Sequence, residues 1–303
     1  MRYEFTGEKK EWRGHILKRI RATEDAGIVK AGDIGGWIEW EKNLSKMGEA
    51  WVYGNAKVYG EAVVCDNAKV CGEAVVCDNA EVCDNAKVCG NAKVCGEAVV
   101  CDNAKVCDNA KVCDNAEVCG NAKVYGEAEV CDNAEVYGEA VVRDNAKVYG
   151  EAVVRDNAEV YGEAVVRDNA KVCGEAVVCD NAKVYGEAAV YGNAEVCGKA
   201  AVCSESRIGR NAVIESMDHV LAVGPIGSRG GYTTFFKDAK DGIGVMCGCF
   251  AGSMEEFLEK VSKTHRNTKH AVVYRAAVEL AKAKMDPEVK EMGEEEKNAD
   301  SSI

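Results

Sequence analysis

The chain has 303 residues, a formal net charge of −13 and 17 cysteines. The acidic charge argues against direct binding to nucleic acid or to an anionic membrane. No apolar run approaches the length of a membrane-spanning helix, and the first residues lack the apolar segment of a secretion signal. Because so many close thiols would scramble in an oxidising compartment, the composition predicts a cytoplasmic protein, of a bacterium or of a phage-infected host cell.

Residues 1–42 precede the repeats and form the first predicted unit. The segments YEFTGE and HILKRIRA alternate apolar and polar residues and are rich in β-branched side chains, which predicts two strands. All four tryptophans lie at this end of the chain, and they are Trp12, Trp37, Trp40 and Trp51. Because the first coil of a solenoid needs a cover, we expect 1–42 to be an N-terminal β cap whose indole rings form the lid. A binding platform made of the same rings is the alternative.

A six-residue phrase then repeats without a gap over 43–216, in units such as NAKVYG and EAVVCD. Position two is Ala and position four is Val or Ile in almost every unit, and residues two apart on a strand point to the same side. Positions six and one carry Gly, Asp, Asn or Glu, of which Gly and Asn tolerate a positive φ. Each unit is therefore predicted to be a short strand and a corner, with Ala and Val inside. Three units close a triangle, which gives a mainly β, single-stranded parallel β-helix of about ten coils.

Read from its Val, the unit is V-x-x-x-A-x, in which a small residue follows the aliphatic one four positions later. This resembles the hexapeptide repeat of left-handed parallel β-helix proteins, which include the hexapeptide acyltransferases. The resemblance implies a left-handed helix. Because β crossovers are ordinarily right-handed, a right-handed helix like that of the polymer-forming bactofilins is the alternative.

The resembling acyltransferases use a histidine near the coils as general base. Here no His lies between residues 16 and 218, and no coil is interrupted by a loop that could form an acceptor pocket. We therefore expect no acyltransferase activity in the repeats.

Position five of the units carries most of the thiols, and residues 18 apart are expected to stack in columns. The three columns are Cys65, Cys83, Cys101 and Cys119; Cys71, Cys89 and Cys107; and Cys77, Cys95, Cys113 and Cys131. A metal site needs ligands that converge on one point, whereas a column diverges. Stacked strands about 4.8 Å apart also separate Cβ atoms more than an ordinary disulfide does. We expect no metal, no cofactor and no disulfide without distortion, and interpret Cys as a small apolar residue on a β face.

The composition changes at residue 217, and 217–285 is predicted to be a small α+β module. MDHVLAVGPIG predicts a strand that runs into a Gly-rich turn. YTTFFKD and GIGVMCGCF predict two strands joined by an Asp-Gly turn.

Two helices are predicted after these strands. Ser253 and Glu256 have the spacing of a capping box, which predicts the start of a helix with Phe257, Leu258 and Val261 on one side. A second helix is predicted over about 270–285. Its helically spaced positions are Ala277, Leu280, Ala281 and Lys284. Residues 286–303 are acidic and polar and are predicted to be a disordered tail.

The non-repetitive candidates for chemistry lie in this module, around the segment GPIGSRGGYTTF. Its Gly residues could let backbone N–H groups approach a phosphate, with Arg229 as the counter-charge. The candidate ligand-binding residues are Arg229, Tyr232, Thr233, Cys247 and Cys249, and no catalytic residue is assigned. Neither a Walker loop nor a dinucleotide fingerprint is present, so a Gly-rich hairpin with a surface Arg is the alternative. The stretches GPIGSR-YTTF and CGCF-G-EEF are similar to a small C-terminal module of proteins encoded by bacteriophages and prophages, a resemblance that implies no activity.

The sequence favours a non-enzymatic structural or interaction protein, in which a rigid β-helix presents a C-terminal binding module. The alternative is ligand binding, sequestration or an enzymatic activity located in 217–285. An acidic rod could also mimic nucleic acid, but Lys ladders interrupt its negative surface. Outward residues such as Val63, Val99 and Val153 make flat apolar faces, so we expect a protein partner or further copies of the chain to pack laterally as a closed homo-oligomer. No membrane and no direct nucleic-acid partner is expected.

Overall fold

The computed structural model describes residues 2–286, and most of this span is a parallel β-solenoid of about ten coils. Its strands are two residues long and recur every six residues. They are β4 (Trp51–Val52), β5 (Lys57–Val58), β6 (Val63–Val64), β7 (Lys69–Val70), β8 (Val75–Val76), β9 (Glu81–Val82), β10 (Lys87–Val88), β11 (Lys93–Val94), β12 (Val99–Val100), β13 (Lys105–Val106), β14 (Lys111–Val112), β15 (Glu117–Val118), β16 (Lys123–Val124), β17 (Glu129–Val130), β18 (Glu135–Val136), β19 (Val141–Val142), β20 (Lys147–Val148), β21 (Val153–Val154), β22 (Glu159–Val160), β23 (Val165–Val166), β24 (Lys171–Val172), β25 (Val177–Val178), β26 (Lys183–Val184), β27 (Ala189–Val190), β28 (Glu195–Val196), β29 (Ala201–Val202), β30 (Arg207–Ile208) and β31 (Val213–Ile214).

The strands form three parallel sheets, one for each face of the coil. Each strand pairs with the strand 18 residues later, so that Val88 lies between Val70 and Val106. Face one is the sheet from β6 to β30, face two runs from β4 to β31, and face three runs from β5 to β29. The predicted closure of a coil by three units is therefore confirmed. The handedness remains a prediction.

The apolar core is a stack of Ala and Val. Ala98 and Val100 are both 0% exposed, whereas Val99 and Cys101, which point outward, are half-buried. The predicted inside and outside positions are thus confirmed. Each fully buried Val stabilises the fold by about 1.5–3 kcal/mol relative to an exposed one.

The corners are closed by position six of the unit, which in most units is a Gly or Asp in the left-handed region; at Asp102, for example, φ is 56°. The Oδ2 atom of Asp102 accepts a hydrogen bond from the backbone N–H of Gly120, in the next coil, at 2.9 Å. The expectation that Asn contributes the positive φ is wrong, since no Asn within 2–286 adopts it. Asn at position one stacks instead, and the Asn103 amide donates to Asn121 at 3.2 Å. These bonds tie each corner to the next coil.

The N-terminal segment contains β1 (Tyr3–Trp12), β2 (His15–Ala22), β3 (Ile34–Ile38) and a 3-10 turn (Glu41–Asn43). The first two strands form the predicted antiparallel hairpin. Strand β3 pairs in parallel with β5, so the hairpin extends face three.

The predicted lid of four indole rings is wrong. Trp51 joins the solenoid core, but Trp40 is 49% exposed. Trp12 and Trp37 pack on the outer side of face three, against Cys77 and its neighbours in the thiol column. The cover of the first coil is built from smaller side chains, which are Tyr3, Ile20, Ile38 and Leu44. The prediction failed because the position of each ring depends on how β3 pairs with the coil and on how the hairpin packs beside it.

The C-terminal module contains a 3-10 turn (Met217–His219), β32 (Val220–Ile226), β33 (Gly231–Asp238), β34 (Gly242–Cys247), β35 (Phe250–Ser253), α1 (Met254–His265) and α2 (Lys269–Met285). The four strands form one antiparallel sheet in chain order. Ser253 caps α1, and both hydrogen bonds of the predicted capping box with Glu256 are present.

Two details of the module differ from the sequence predictions. GIGVMCGCF is not one strand, because it folds into a tight turn at Gly248 that separates β34 from β35. Leu280 is 54% exposed, while Ala277 and Ala281 are buried. Small side chains let α2 lie close to the sheet, so the apolar stripe of α2 is narrower than its spacing predicts.

The sheet of the module covers the last coil. Phe236 and Met246 belong to the same apolar core as Ile208. The backbone N–H of Arg207 donates to Oγ1 of Thr234 at 3.0 Å. The core therefore continues from the solenoid into the module without a linker.

A buried ion pair reinforces this junction. Asp238 is 3% exposed, and its Oδ2 lies 3.5 Å from Nε of Arg210. The Oδ1 atom accepts hydrogen bonds from the backbone N–H groups of Lys240 at 2.9 Å and Asp241 at 3.2 Å. Burial acts to raise the pKa of Asp238. The two backbone hydrogen bonds, a third from the backbone of Asn211 and the nearby Arg210 cation together outweigh burial, and the pKa stays below its usual value.

One stacked pair of thiols forms a disulfide, between Cys179 and Cys197 on face two. Their Cα atoms are 4.6 Å apart, within the range of about 4.4–6.8 Å that disulfides tolerate. A stacked pair of thiols therefore forms a disulfide here, with a Cα separation at the short end of that range.

The predicted disordered tail, 286–303, lies outside the described residues except for its first position. Within 2–286, neither helix is long and apolar enough to cross a membrane.

Candidate functional site

A pocket of about 410 Å³ lies between the sheet and the helices of the C-terminal module. Its walls are the turn that joins β32 to β33, the turn that joins β34 to β35, and the facing sides of α1 and α2. Its lining includes Ile226, Arg229, Tyr232, Cys247, Cys249, Phe250, Phe257, Lys260, His265 and Tyr274. Segments that are far apart in sequence therefore converge on one hollow.

The turn between β32 and β33 is shaped by glycine. Gly227 has a φ of 76°, and its backbone lies so close to the helix that an added Cβ would overlap the hydroxyl of Tyr274. Only glycine allows both the turn and this approach. The same turn places Arg229 at the rim of the pocket.

Cys247 lies at the end of β34, where the hydroxyls of two neighbours contact its sulfur. Oγ1 of Thr233, on the adjacent strand β33, donates to Sγ of Cys247 at 3.1 Å. The thiol in turn donates to Oη of Tyr274 at 3.8 Å. This chain of contacts fixes the thiol between the sheet and α2.

Tyr274 is the buried polar group of the site. Burial raises its pKa to about 12, the contact with Cys247 adds to the shift, and the Arg229 cation opposes it. The hydroxyl is therefore protonated at neutral pH and serves as a hydrogen-bonding group rather than a base. Its ring packs at 5.5 Å from that of Phe257 and at 5.5 Å from that of His265.

The pocket combines cations at its rim with an apolar floor. Arg229, from the turn between β32 and β33, and Lys260, from α1, supply positive charge, and the imidazole of His265 also lines the pocket. Phe250 and Phe257 form part of the floor, with ring centroids 5.4 Å apart. This arrangement suits a small ligand that carries both an anionic group and an apolar body.

The structure brings together four of the five residues selected from the sequence. Arg229, Tyr232, Cys247 and Cys249 line the pocket, although the Cys249 side chain is exposed. Thr233 does not line it; this residue is fully buried and acts through its hydrogen bond to Cys247.

Sequence reasoning missed the helical wall of the pocket. Lys260, His265 and Tyr274 come from α1 and α2. One signal was present, because His265 follows Phe257 and Val261 at intervals of four and so shares their face of α1. Tyr274 had no comparable signal.

Larger hollows lie on the outer faces of the solenoid, one of about 630 Å³ and one of about 760 Å³. They are bordered mainly by charged and polar side chains such as Glu151, Lys171 and Arg167. Because Tyr185 is the single aromatic side chain that borders them, whereas Tyr232, Phe250, Phe257 and Tyr274 line the module pocket, we place the candidate site in the module.

Comparison with known protein families finds no family model that matches the chain. Comparison with curated proteins finds no significant match.

Proposed function

We propose that the chain is a non-enzymatic structural and interaction protein, in which the β-solenoid is a rigid scaffold that presents a C-terminal binding module. The observation that carries this proposal is the continuous core, because Phe236 and Met246 of the module pack into the same cluster as the coils. A module attached in this way has a set distance and orientation relative to the N-terminal end.

The scaffold role is testable by small-angle X-ray scattering on the full chain. A single rod whose longest dimension does not change with solution conditions is the expected result. A broad distribution of end-to-end distances would contradict it, since a hinge between solenoid and module would produce one.

We propose that the module binds a small anionic ligand with an apolar body, in the pocket between Arg229 and Lys260. Binding is favoured over nucleophilic catalysis by the partners of Cys247. The contacts of its sulfur are hydroxyls, of Thr233 and Tyr274, and a protonated hydroxyl does not activate a thiol. An enzymatic activity in 217–285 is the second candidate, and the presence of His265 in the same pocket is what favours it.

The ligand proposal is tested by calorimetry on the full chain with inorganic phosphate, nucleoside monophosphates and aromatic carboxylates as probes. At least one probe should bind with one site per chain, and Arg229→Ala should weaken it at least about 10-fold, as expected for loss of a charged hydrogen bond. Arg275→Ala is the matched control, because Arg275 follows Tyr274 on α2 but does not line the pocket. No binding by any probe, or equal effects of both variants, would refute the proposal.

The proposals on the repeat family, the origin of the gene and the cellular location rest on the repeat and module motifs. We propose that the solenoid belongs with the left-handed hexapeptide-repeat proteins, that the gene is of phage or prophage origin, and that the protein works in the cytoplasm. A prophage context of the gene and recovery of the protein with its thiols reduced after rapid alkylation of cells are the expected observations. Recovery with most repeat thiols oxidised would argue against a cytoplasmic location.

A further inference from the structure

The thiols of the N-terminal coils stand on all three outer faces of the solenoid. On face one, Cys83, Cys101 and Cys119 follow β9, β12 and β15, and each backbone N–H bonds to the next coil at 3.0 Å. Their sulfurs are free and half-buried. They therefore form one accessible column rather than scattered surface thiols.

Carboxylates from the same coils complete this column. The two sulfurs of Cys83 and Cys101 and a carboxylate oxygen of Asp84 all lie within 4.8 Å of one another. The same is true of Cys101, Cys119 and a carboxylate oxygen of Glu117. Cys101 belongs to both groups, so its sulfur is placed to bridge two ions.

The expectation of no metal rested on the divergence of a column of sulfurs. That argument omitted the carboxylates, which come from the corner after Cys83 and from the outward position before Cys119. With them, the pairs Cys83–Cys101 and Cys101–Cys119 each have a third ligand atom within 4.8 Å of both sulfurs. The ligand atoms therefore converge at pairs of neighbouring coils, although the sulfur column as a whole is straight.

The ligand type and number select the metal. Thiolate sulfur prefers soft cations such as Cu(I), and Zn(II) in structural sites takes four ligands at the corners of a tetrahedron. Each group offers three ligand atoms, two of them sulfur. Cu(I) is satisfied by two thiolate ligands and shares bridging sulfurs, so the two sulfurs of each group suffice for it, whereas structural zinc needs a fourth ligand that the group does not supply.

We propose that face one binds Cu(I) between neighbouring coils, with Cys101 as a bridging thiolate shared by two adjacent sites. Each thiol that coordinates releases its proton to solvent, and no electron is transferred, because the metal enters as Cu(I). A third group of the same composition, Cys113, Asp114 and Cys131, lies on face three, but Cys113 is buried there. Face one is therefore the primary site.

Oxidation would compete with metal binding. The group formed by Cys179, Glu195 and Cys197 has the same composition, and its two sulfurs form the disulfide described above. A disulfide removes both thiolate ligands. The test must therefore use fully reduced protein without oxygen.

The experiment titrates the reduced full chain with Cu(I), supplied as its acetonitrile complex, in competition with a chromogenic Cu(I) chelator. Thiolate-to-copper charge transfer in the near ultraviolet reports binding. The wild-type chain should withdraw Cu(I) from the chelator, and Cys101→Ser should remove two ions per chain or weaken binding at least about 10-fold. Cys173→Ser is the matched control, because Cys173 occupies the same repeat position on face one but is stacked between Arg155 and Tyr191 rather than between thiols.

Two further arms make the outcome decisive. Circular dichroism of Cys101→Ser should match that of the wild type, which separates loss of a ligand from loss of the fold. Glu117→Gln should weaken binding by a smaller factor than Cys101→Ser. Equal behaviour of Cys101→Ser and Cys173→Ser, a wild-type chain that does not compete with the chelator, or tighter binding of Zn(II) than of Cu(I) would overturn the proposal.

Discussion

Val141 and Val142 offer a matched pair for testing the core. The two residues are consecutive and of one type, but Val142 is 0% exposed in the core, whereas Val141 points outward on face two. Val141 lies between Lys123 and Glu159 in the adjacent coils, so a new negative charge there meets one opposite and one like charge. The same substitution of Val by Asp can therefore be compared in the core and on the outer surface.

The expected loss at Val142→Asp follows from burial. A carboxyl in the core avoids a buried charge by taking up a proton, which at pH 7 costs about 4 kcal/mol for a group with an ordinary pKa of about 3.9. Loss of the buried Val costs about a further 2 kcal/mol. Val141→Asp should change the free energy of unfolding by about 0.5 kcal/mol or less, because its carboxylate stays in water.

The assay is urea denaturation followed by circular dichroism at pH 7 and pH 5.5. The pKa of the buried carboxyl is raised in the folded state, so the folded chain binds more protons and its stability increases as the pH falls. Val142→Asp should therefore recover about 2 kcal/mol relative to wild type between the two pH values, and Val141→Asp should recover none.

Equal losses for the two variants, or a large loss at Val142→Asp that does not depend on pH, would refute the assignment of inside and outside. If Val142→Asp does not fold at either pH, Val142→Thr provides a milder version. It keeps the shape of the side chain and buries one hydroxyl, which should cost about 1–3 kcal/mol, and Val141→Thr should be near neutral.

Four further predictions concern the corners, the junction, the thiols and assembly. Asp102→Ala should lower the free energy of unfolding by about 1–2 kcal/mol, because Ala is strained at the positive φ and the hydrogen bond with Gly120 is lost. Asp102→Gly should be milder, because Gly adopts the positive φ without strain. The depressed pKa of Asp238 contributes stability above its unfolded pKa that is lost as the pH falls below about 4, so thermal scans of wild type and Asp238→Asn should converge in acid; a constant gap would contradict this. Most repeat thiols should react rapidly with a thiol reagent, but Cys77 and Cys113 should be slow until the chain is denatured. Both are buried, and their lack of exposure sets this order, because burial also raises the pKa of half-buried thiols such as Cys83 and Cys119. Mass spectrometry of labelled peptides would detect the reverse order. Light scattering at micromolar concentration should give a discrete homo-oligomer, and a strict monomer would exclude lateral packing.

The coil could be predicted because its rule is local and repeated. Ala98 and Val100 are two apart on one strand, and that spacing alone places both inside. The spacing of 18 between stacked residues follows once three units close a coil. The role of Asp102 could not be read in the same way, because the bond that its carboxylate accepts from Gly120 depends on the next coil.

The ends were harder to predict, since their contacts depend on tertiary pairing. Trp40 is exposed although it lies among other tryptophans in the sequence, because the orientation of β3 on face three decides which rings are covered. The module pocket was found in part, because Arg229 and Cys247 lie in short unusual motifs. Tyr274 was missed because it is an ordinary helical residue until the glycine turn at Gly227 approaches it.

The pairing of each strand with the strand 18 residues later has a consequence for the direction in which the module faces. Removal of three consecutive units would bring the two ends closer by one coil, about 4.8 Å, with the pocket on the same side as before. Removal of a single unit would rotate the module by about a third of a revolution relative to the N-terminal hairpin. The number of units therefore sets the azimuth of the pocket as well as its reach, and insertions in multiples of three are the changes that lengthen the rod without turning it.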